Sequence, residues 1–119
     1  MIFGTGIDLT EIKRIDQMQT KHPHFVEKVL TKKEFLQYDQ LTGQNRREFL
    51  AGRFSLKEAF SKAYGTGIGA KLAFHDIEIL NNSVGRPMVT QSIFPGIAHV
   101  SVSHTNDLVI TQVILEKEP

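Results

Sequence analysis

The chain has 119 residues, 40% of them apolar, a formal net charge of +1 and no cysteine. This balance excludes an intrinsically disordered chain, and the length suits one domain over 1–119 with little room for two. Disulfides, zinc-thiolate sites and a cysteine nucleophile are excluded, no apolar stretch approaches the ~20 residues needed to span a bilayer, and the near-neutral charge argues against non-specific nucleic-acid binding.

The opening MIFGTGIDLTEI has no basic segment followed by an apolar run, so no secretory signal is expected and a cytoplasmic protein is the default. IFGTGIDL reads as a short strand, with Ile7 and Leu9 on one face and Asp8 on the other. TEIKRIDQM reads as a helix with Ile12, Ile15 and Met18 near one stripe and Arg14 off it, exposed. Further helices are expected around Phe25 to Leu30 and Lys33 to Leu41, and Thr31 with Glu34 matches a capping box. The strongest helical segment runs from about Arg46 to Tyr64 and ends in GTGIG, whose glycines stop a helix.

The periodicity then changes. HDIEIL reads as a strand, NNSVGRP as a turn and PMVT as a returning strand. AHVSVSH alternates Val100 and Val102 against Ser101 and Ser103, and TND turns it into LVITQVILE. That last strand is apolar at both parities: Val109, Val113 and Leu115 on one, Leu108, Ile110 and Ile114 on the other. A strand with one buried face would alternate with polar residues, so its second face needs a cover, from this chain or from another copy. Helices first and hairpins later predict an α+β fold, an antiparallel sheet with a long helix packed on it.

On the long helix, Ala51, Ser55, Glu58, Lys62 and Gly65 fall on one stripe, opposite Phe49, Leu56, Phe60, Ala63 and Tyr64. A carboxylate beside a lysine suits a divalent metal held together with a phosphate. On spacing alone, Glu58 and Lys62 are more ordinarily an exposed i, i+4 pair worth a few tenths of a kcal/mol. Asp8, in an apolar run after two glycines, is either at a strand edge facing water or placed for a ligand; with Glu58 it would suit magnesium, which takes few protein oxygens. GTGIG follows a helix instead of opening one, so a helix stop explains it better than a phosphate loop, although an amide there could still meet a phosphate. The histidines lack metal-ligand spacing, His104 reads as an exposed strand end, and Ser101 and Ser103 lack a nucleophile motif. The basic residues of the first half are either a solvated surface or a docking face for an acidic partner.

Taken together and in this order, GTGIDLTEIKRI, FLAGRFSLKEAFSKAYGTGIG, VGRP and HVSVSHT closely resemble the holo-acyl-carrier-protein synthase family, the small bacterial-type phosphopantetheinyl transferases. The resemblance covers essentially the whole chain and implies the phosphopantetheinyl transferase-like fold. It also implies magnesium-dependent transfer of 4′-phosphopantetheine from coenzyme A to a serine of acyl carrier protein, for fatty acid biosynthesis. Carried over by position, it implies metal ligation by Asp8 and Glu58, with Lys62 near the coenzyme A diphosphate. Arg53 and His104 would meet its 3′-phosphate end, and Gly85, Arg86 and Pro87 its adenine. Gly65 of the GTG motif joins the coenzyme-binding set, and Arg14 would dock the acidic carrier. The resemblance further implies a homotrimer with each site built between adjacent subunits. Glu58, directly or through a metal-held water, is the first choice for accepting the serine proton, and Asp8 the second. QSIFPGIA stands where many relatives have a clear helix, a departure that bears on trimer contacts but not on the matched metal residues.

Two rival readings are a non-catalytic module that binds an acidic partner through the basic first half, and a transferase for another carrier, such as a peptidyl carrier protein. The first does not need both Asp8 and Glu58. The second is less favoured, because broad-specificity relatives look like a fused two-fold repeat of this domain and no repeat is visible here.

Overall fold

A computed structural model describes all of residues 1–119. Three strands form one antiparallel sheet: β1 (Ile2–Glu11), β4 (Gly96–His104) and β5 (Leu108–Lys117), in the order β1-β5-β4. β2 (Ile77–Asn81) and β3 (Pro87–Gln91) form a separate antiparallel ladder, joined by the turn read from NNSVGRP. The helices are α1 (Ile12–Lys21), α2 (Phe25–Val29), α3 (Lys32–Asp39) and α4 (Gly43–Tyr64). The α+β class is as expected from the order of the periodicities. No helix is long and apolar enough to cross a membrane.

α4 lies across the inner face of the three-stranded sheet and is buried on most of its circumference. β1 lets it come close. A Cβ on Gly4 would overlap the carbonyl oxygen of Ala63, and one on Gly6 that of Ala59. The alternation read in β1 holds, but its apolar side faces outward: Ile7 and Leu9 are 59% and 62% exposed, while Asp8 and Thr10 point at α4. The face of β5 carrying Val109, Val113 and Leu115 is buried under α4, and the face carrying Ile110 is uncovered, Ile110 being 42% exposed.

α4 begins at Gly43, three residues before the expected Arg46, and ends where expected, with Gly65 in the left-handed conformation at φ 100°. His75 and Asp76 lie in a 3-10 turn ahead of β2, so the strand read as HDIEIL starts at Ile77. The segment before β4 is a series of bends at residues 92–95, as its Pro95-Gly96 pair implied, with Phe94 turned into the core.

The capping box at Thr31 and Glu34 is present, and Glu34 does more than cap. Its Oε1 accepts from the Thr31 amide at 2.8 Å and from Lys57 Nζ at 2.6 Å, and its Oε2 accepts from the Ile79 amide at 2.7 Å. Lys57 Nζ also donates to the Val29 carbonyl at 2.7 Å. Both side chains are fully buried. Burial pushes the Lys57 ammonium below its ordinary range, and Glu34 opposes that shift. The pair ties α2, α3 and β2 to the middle of α4, which fixes the position of that helix.

Candidate functional site

The first half lies at the β1 edge of the sheet. Asp8 Oδ2 accepts hydrogen bonds from Thr10 Oγ1 at 2.6 Å and Ser55 Oγ at 2.7 Å. Its Oδ1 stands 3.2 Å from Lys62 Nζ, which also donates to the Ile7 carbonyl at 3.0 Å. Lys62 therefore reaches from α4 across to β1, and the expected i, i+4 ion pair with Glu58 does not form. The stripe of Ser55, Glu58 and Lys62 runs along the part of α4 laid against Asp8, from buried Ser55 to half-exposed Lys62.

Glu58 is half-buried, and its carboxyl is pushed above the ordinary glutamate range, first by burial and next by the charge of Asp8. Lys62 and Arg14 pull it back. Two carboxylates and a lysine thus converge, the lysine offsetting only part of the repulsion between the acids. No three His, Asp or Glu side chains gather closely enough to enclose a metal by themselves. That donor set fits magnesium, which prefers octahedral oxygen coordination and keeps waters and phosphate oxygens among its ligands.

Arg14 is exposed on α1, as expected, with its guanidinium carbon 5.8 Å from the centre of the Phe54 ring. Its positive charge is one of the two that pull the Glu58 carboxyl back down. Gly65 ends α4, and its amide, with those of Thr66 and Gly67, turns onto the Ser61 carbonyl at 2.9, 3.3 and 3.4 Å. The sequence left open an amide free for phosphate there; these three are already committed to the helix cap.

The second half is a cavity of about 480 Å³ at the β4 edge, bordered by Arg53, His104, Gly85 and Pro87 among others. Four residues drawn from distant motifs thus meet in one place. Arg53 is almost fully buried, which the sequence did not suggest. Its Nε donates to the Ile79 carbonyl at 2.7 Å, its Nη2 donates to Asn81 Oδ1 at 2.9 Å, and its guanidinium lies 4.3 Å from the Phe49 ring centre. Burial lowers its pKa to about 10, still cationic at neutral pH. Nη1 is the guanidinium nitrogen without a partner in the chain. His104 Nδ1 sits 3.3 Å from Glu48 Oε2, so the histidine is held, not merely exposed. Gly85, at φ 82°, makes the tight turn in which Asn82 Oδ1 accepts from the amides of Val84 and Arg86. Arg86 is exposed and does not border the cavity.

Asp8 belongs to one edge strand and His104 to the other, with β5 between them, a separation of about two strand spacings or 9 to 10 Å. α4 fills the inner face between the two edges. Sequence order brings Glu58 and Arg53 within five residues, but on the helix they face different sides. The residues the sequence missed are those that hold the others: Ser55, Thr10 and Thr111 around Asp8, Asn81 on Arg53, and Glu48 on His104.

Residues 4–113 match the 4′-phosphopantetheinyl transferase superfamily. The chain is 59% identical over 118 residues to the holo-[acyl-carrier-protein] synthase of Limosilactobacillus reuteri (strain DSM 20016), covering 99% of this chain and 98% of that protein. It is 56% identical over 117 residues to that of Levilactobacillus brevis, covering 98% and 96%. Among solved structures it resembles a holo-(acyl-carrier-protein) synthase from Bacillus anthracis str. Ames in complex with CoA (3′,5′-ADP). The TM-score there is 0.92, with 44% identity and 99% of each chain covered. The Helicobacter pylori holo-[acyl-carrier-protein] synthase in complex with coenzyme A follows at TM-score 0.84 and 30% identity, covering 94% of this chain and 99% of that one.

Proposed function

The chain belongs to the holo-acyl-carrier-protein synthase family of phosphopantetheinyl transferases, and from that premise we propose that it moves 4′-phosphopantetheine from coenzyme A to a serine of apo-acyl carrier protein, with magnesium, in fatty acid biosynthesis in the cytoplasm. The observation that carries the reading is the cluster of Asp8, Glu58 and Lys62. Asp8 and Glu58 would hold magnesium, which when bound neutralises charge on the diphosphate oxygens.

The serine oxygen forms a bond to the β-phosphorus of coenzyme A as the bridging oxygen to the α-phosphorus departs, so adenosine 3′,5′-bisphosphate leaves. The serine proton goes to Glu58. Its carboxylate takes part in no hydrogen bond or ion pair of the chain, only its backbone carbonyl accepting from Ser61 Oγ, so an oxygen remains available to the serine. Asp8 serves less well, because Thr10, Ser55 and Lys62 already engage both of its oxygens. Lys62 supplies positive charge where the leaving phosphate gains negative charge. Arg53 Nη1 and His104 receive the 3′-phosphate, Gly85 and Pro87 border the adenine, and exposed Arg86 approaches from the rim. Arg14 meets acidic residues of the carrier.

The working form is a homotrimer. Two observations support a site shared between copies. The two halves of the site lie on opposite edges of the sheet with α4 filling the inner face between them. The outer face also leaves Ile7, Leu9 and Ile110 uncovered, an apolar surface suited to a second copy of this chain.

Incubating the protein with apo-carrier, coenzyme A and magnesium, and weighing the carrier, tests the activity. A mass gain of one phosphopantetheine is expected. An unchanged mass would favour the non-catalytic module. Gain on a peptidyl carrier but not on an acyl carrier protein would point to the other transferase.

A further inference from the structure

Three rows of inward-facing residues meet at Asp8, and the two that flank the β1 row are each interrupted by one hydroxyl at that point. Along α4 the row facing β1 is Ala51, Ser55, Ala59 and Ala63, spaced four apart, with Ser55 the polar exception. Along β5 the row under α4 is Val109, Thr111, Val113 and Leu115, with Thr111 the exception. Along β1 the row is Gly4, Gly6, Asp8 and Thr10, and Asp8 is paired in register with Thr111. Ser55 and Thr111 are almost completely buried. Packing alone asks for no hydroxyl at either place. Alanine serves the same helix row on both sides of Ser55, and a buried hydroxyl is unfavourable unless it finds a partner.

The partners are specific. Ser55 Oγ lies 2.7 Å from Asp8 Oδ2 and 2.8 Å from Thr111 Oγ1. It does not turn back to the carbonyl four residues earlier, the usual outlet for serine in a helix. Ser55 has one hydroxyl proton, and an ionised Asp8 can only accept. Ser55 therefore donates to Asp8, and Thr111 donates to Ser55. Thr10 adds a second hydroxyl to the same oxygen at 2.6 Å. Asp8 Oδ2 is thereby pinned from behind, and Oδ1 is left facing Lys62 on the exposed side.

We infer that Ser55 and Thr111 are positioning residues for the cation site: a directed pair of hydroxyls, Thr111 to Ser55 to Asp8, that fixes the carboxylate so that Oδ1 alone is presented to a divalent cation. Thr111 acts only through Ser55, by setting the direction of the serine proton. This inference rests on the assignment of Asp8 as a cation ligand, and the test separates the two.

Manganese serves as the probe, with coenzyme A present, and binding is read from the loss of the free-ion signal in electron paramagnetic resonance. Ser55→Ala should weaken manganese binding on the order of tenfold, the usual effect of removing a partner that orients a metal ligand. The isosteric Thr111→Val should weaken it less, in the same direction. The double variant should be no weaker than Ser55→Ala alone, because the threonine has nothing left to orient. Urea unfolding of each variant separates these losses from any change in stability. Asp8→Asn should abolish binding. If Asp8→Asn does so while both hydroxyl variants bind like the parent, the positioning role is overturned. Losses that simply add in the double variant would overturn the directed relay. If Asp8→Asn binds manganese normally, the ligand assignment itself fails.

Discussion

Lys62 Nζ, on α4, lies 3.2 Å from Asp8 Oδ1 on β1, and not against Glu58 one turn before it on the same helix. The ammonium occupies the side of Asp8 on which a divalent cation would be held. Lys62 is half-exposed and long, so it can give up that place and turn to phosphate. Lys62→Met should therefore tighten manganese binding in the absence of coenzyme A. It should also slow transfer on the order of 10²- to 10³-fold, as for loss of one charge-stabilising donor. Equilibrium binding and single-turnover rates measure the two effects, and weaker cation binding in the variant would contradict the exchange.

Glu58 sets a pH dependence. In the metal-free protein its carboxyl is held above the ordinary glutamate range by burial and by Asp8, so the carboxylate forms, and with it affinity for a divalent cation should grow, as pH rises through that raised value. Glu58→Gln, which lacks that carboxylate, should bind the cation weakly at every pH. The same shift acts on stability. Because the folded pKa exceeds the unfolded one, the contribution of Glu58 is full below the unfolded pKa and is lost as pH rises through the folded value. Thermal melts at rising pH should show that decline, and magnesium with coenzyme A should offset it.

The buried pair predicts a purely structural effect. Lys57→Met leaves the Glu34 carboxylate without its cation in a site of no exposure, at a cost of roughly 3 to 5 kcal/mol. Urea unfolding measures it. A loss below about 1 kcal/mol would mean that the pair acts like a surface one.

Arg14→Glu should raise the Michaelis constant of the carrier more than that of coenzyme A, with stronger effects at low salt. Because Arg14 also lowers the pKa of Glu58, the same variant should move the pH dependence of cation binding by the metal-free protein upward. Equal effects on both substrates would remove Arg14 from the carrier face.

Assembly is tested on the outer face. Ile110→Asp puts a charge on the uncovered side of β5 and should yield a smaller, less active species by sedimentation. Val113 belongs to the same strand but points into the core under α4. Val113→Asp should therefore unfold the chain instead of dissociating it.

Much of this was legible in the sequence, and the failures share a cause. Local signals held: the capping box at Thr31 and Glu34, the helix stop at Gly65, the hairpin closing on LVITQVILE. What the patterns leave undecided is which side is inside. In β1 the alternation separates Ile7 and Leu9 from Asp8 without saying which face is covered, and the helix packs on the glycine side, because only there can its backbone approach. Likewise Ser55, Glu58 and Lys62 look like a solvated stripe until β1 is laid against them. Lys57 and Arg53 could not be recognised as buried, since their partners Glu34, Ile79 and Asn81 are more than twenty residues away in sequence. The motifs also do not show that Asp8 and the cavity at Arg53 and His104 lie at two edges of one sheet.

That division is open to a direct test by mixing two inactive variants. Glu58→Gln spoils the carboxylate half and keeps the cavity; His104→Glu spoils the cavity and keeps the carboxylates. If each site joins the carboxylate half of one copy to the cavity of the next, randomly mixed trimers should recover about a quarter of the parental transfer rate, since both contributing copies must be of the right kind. Transfer is read as the mass gain of the carrier after the two proteins have exchanged subunits. Recovery near that fraction is the predicted result. No recovery, with mixed trimers demonstrated, would mean that each chain completes its own site and would contradict the account.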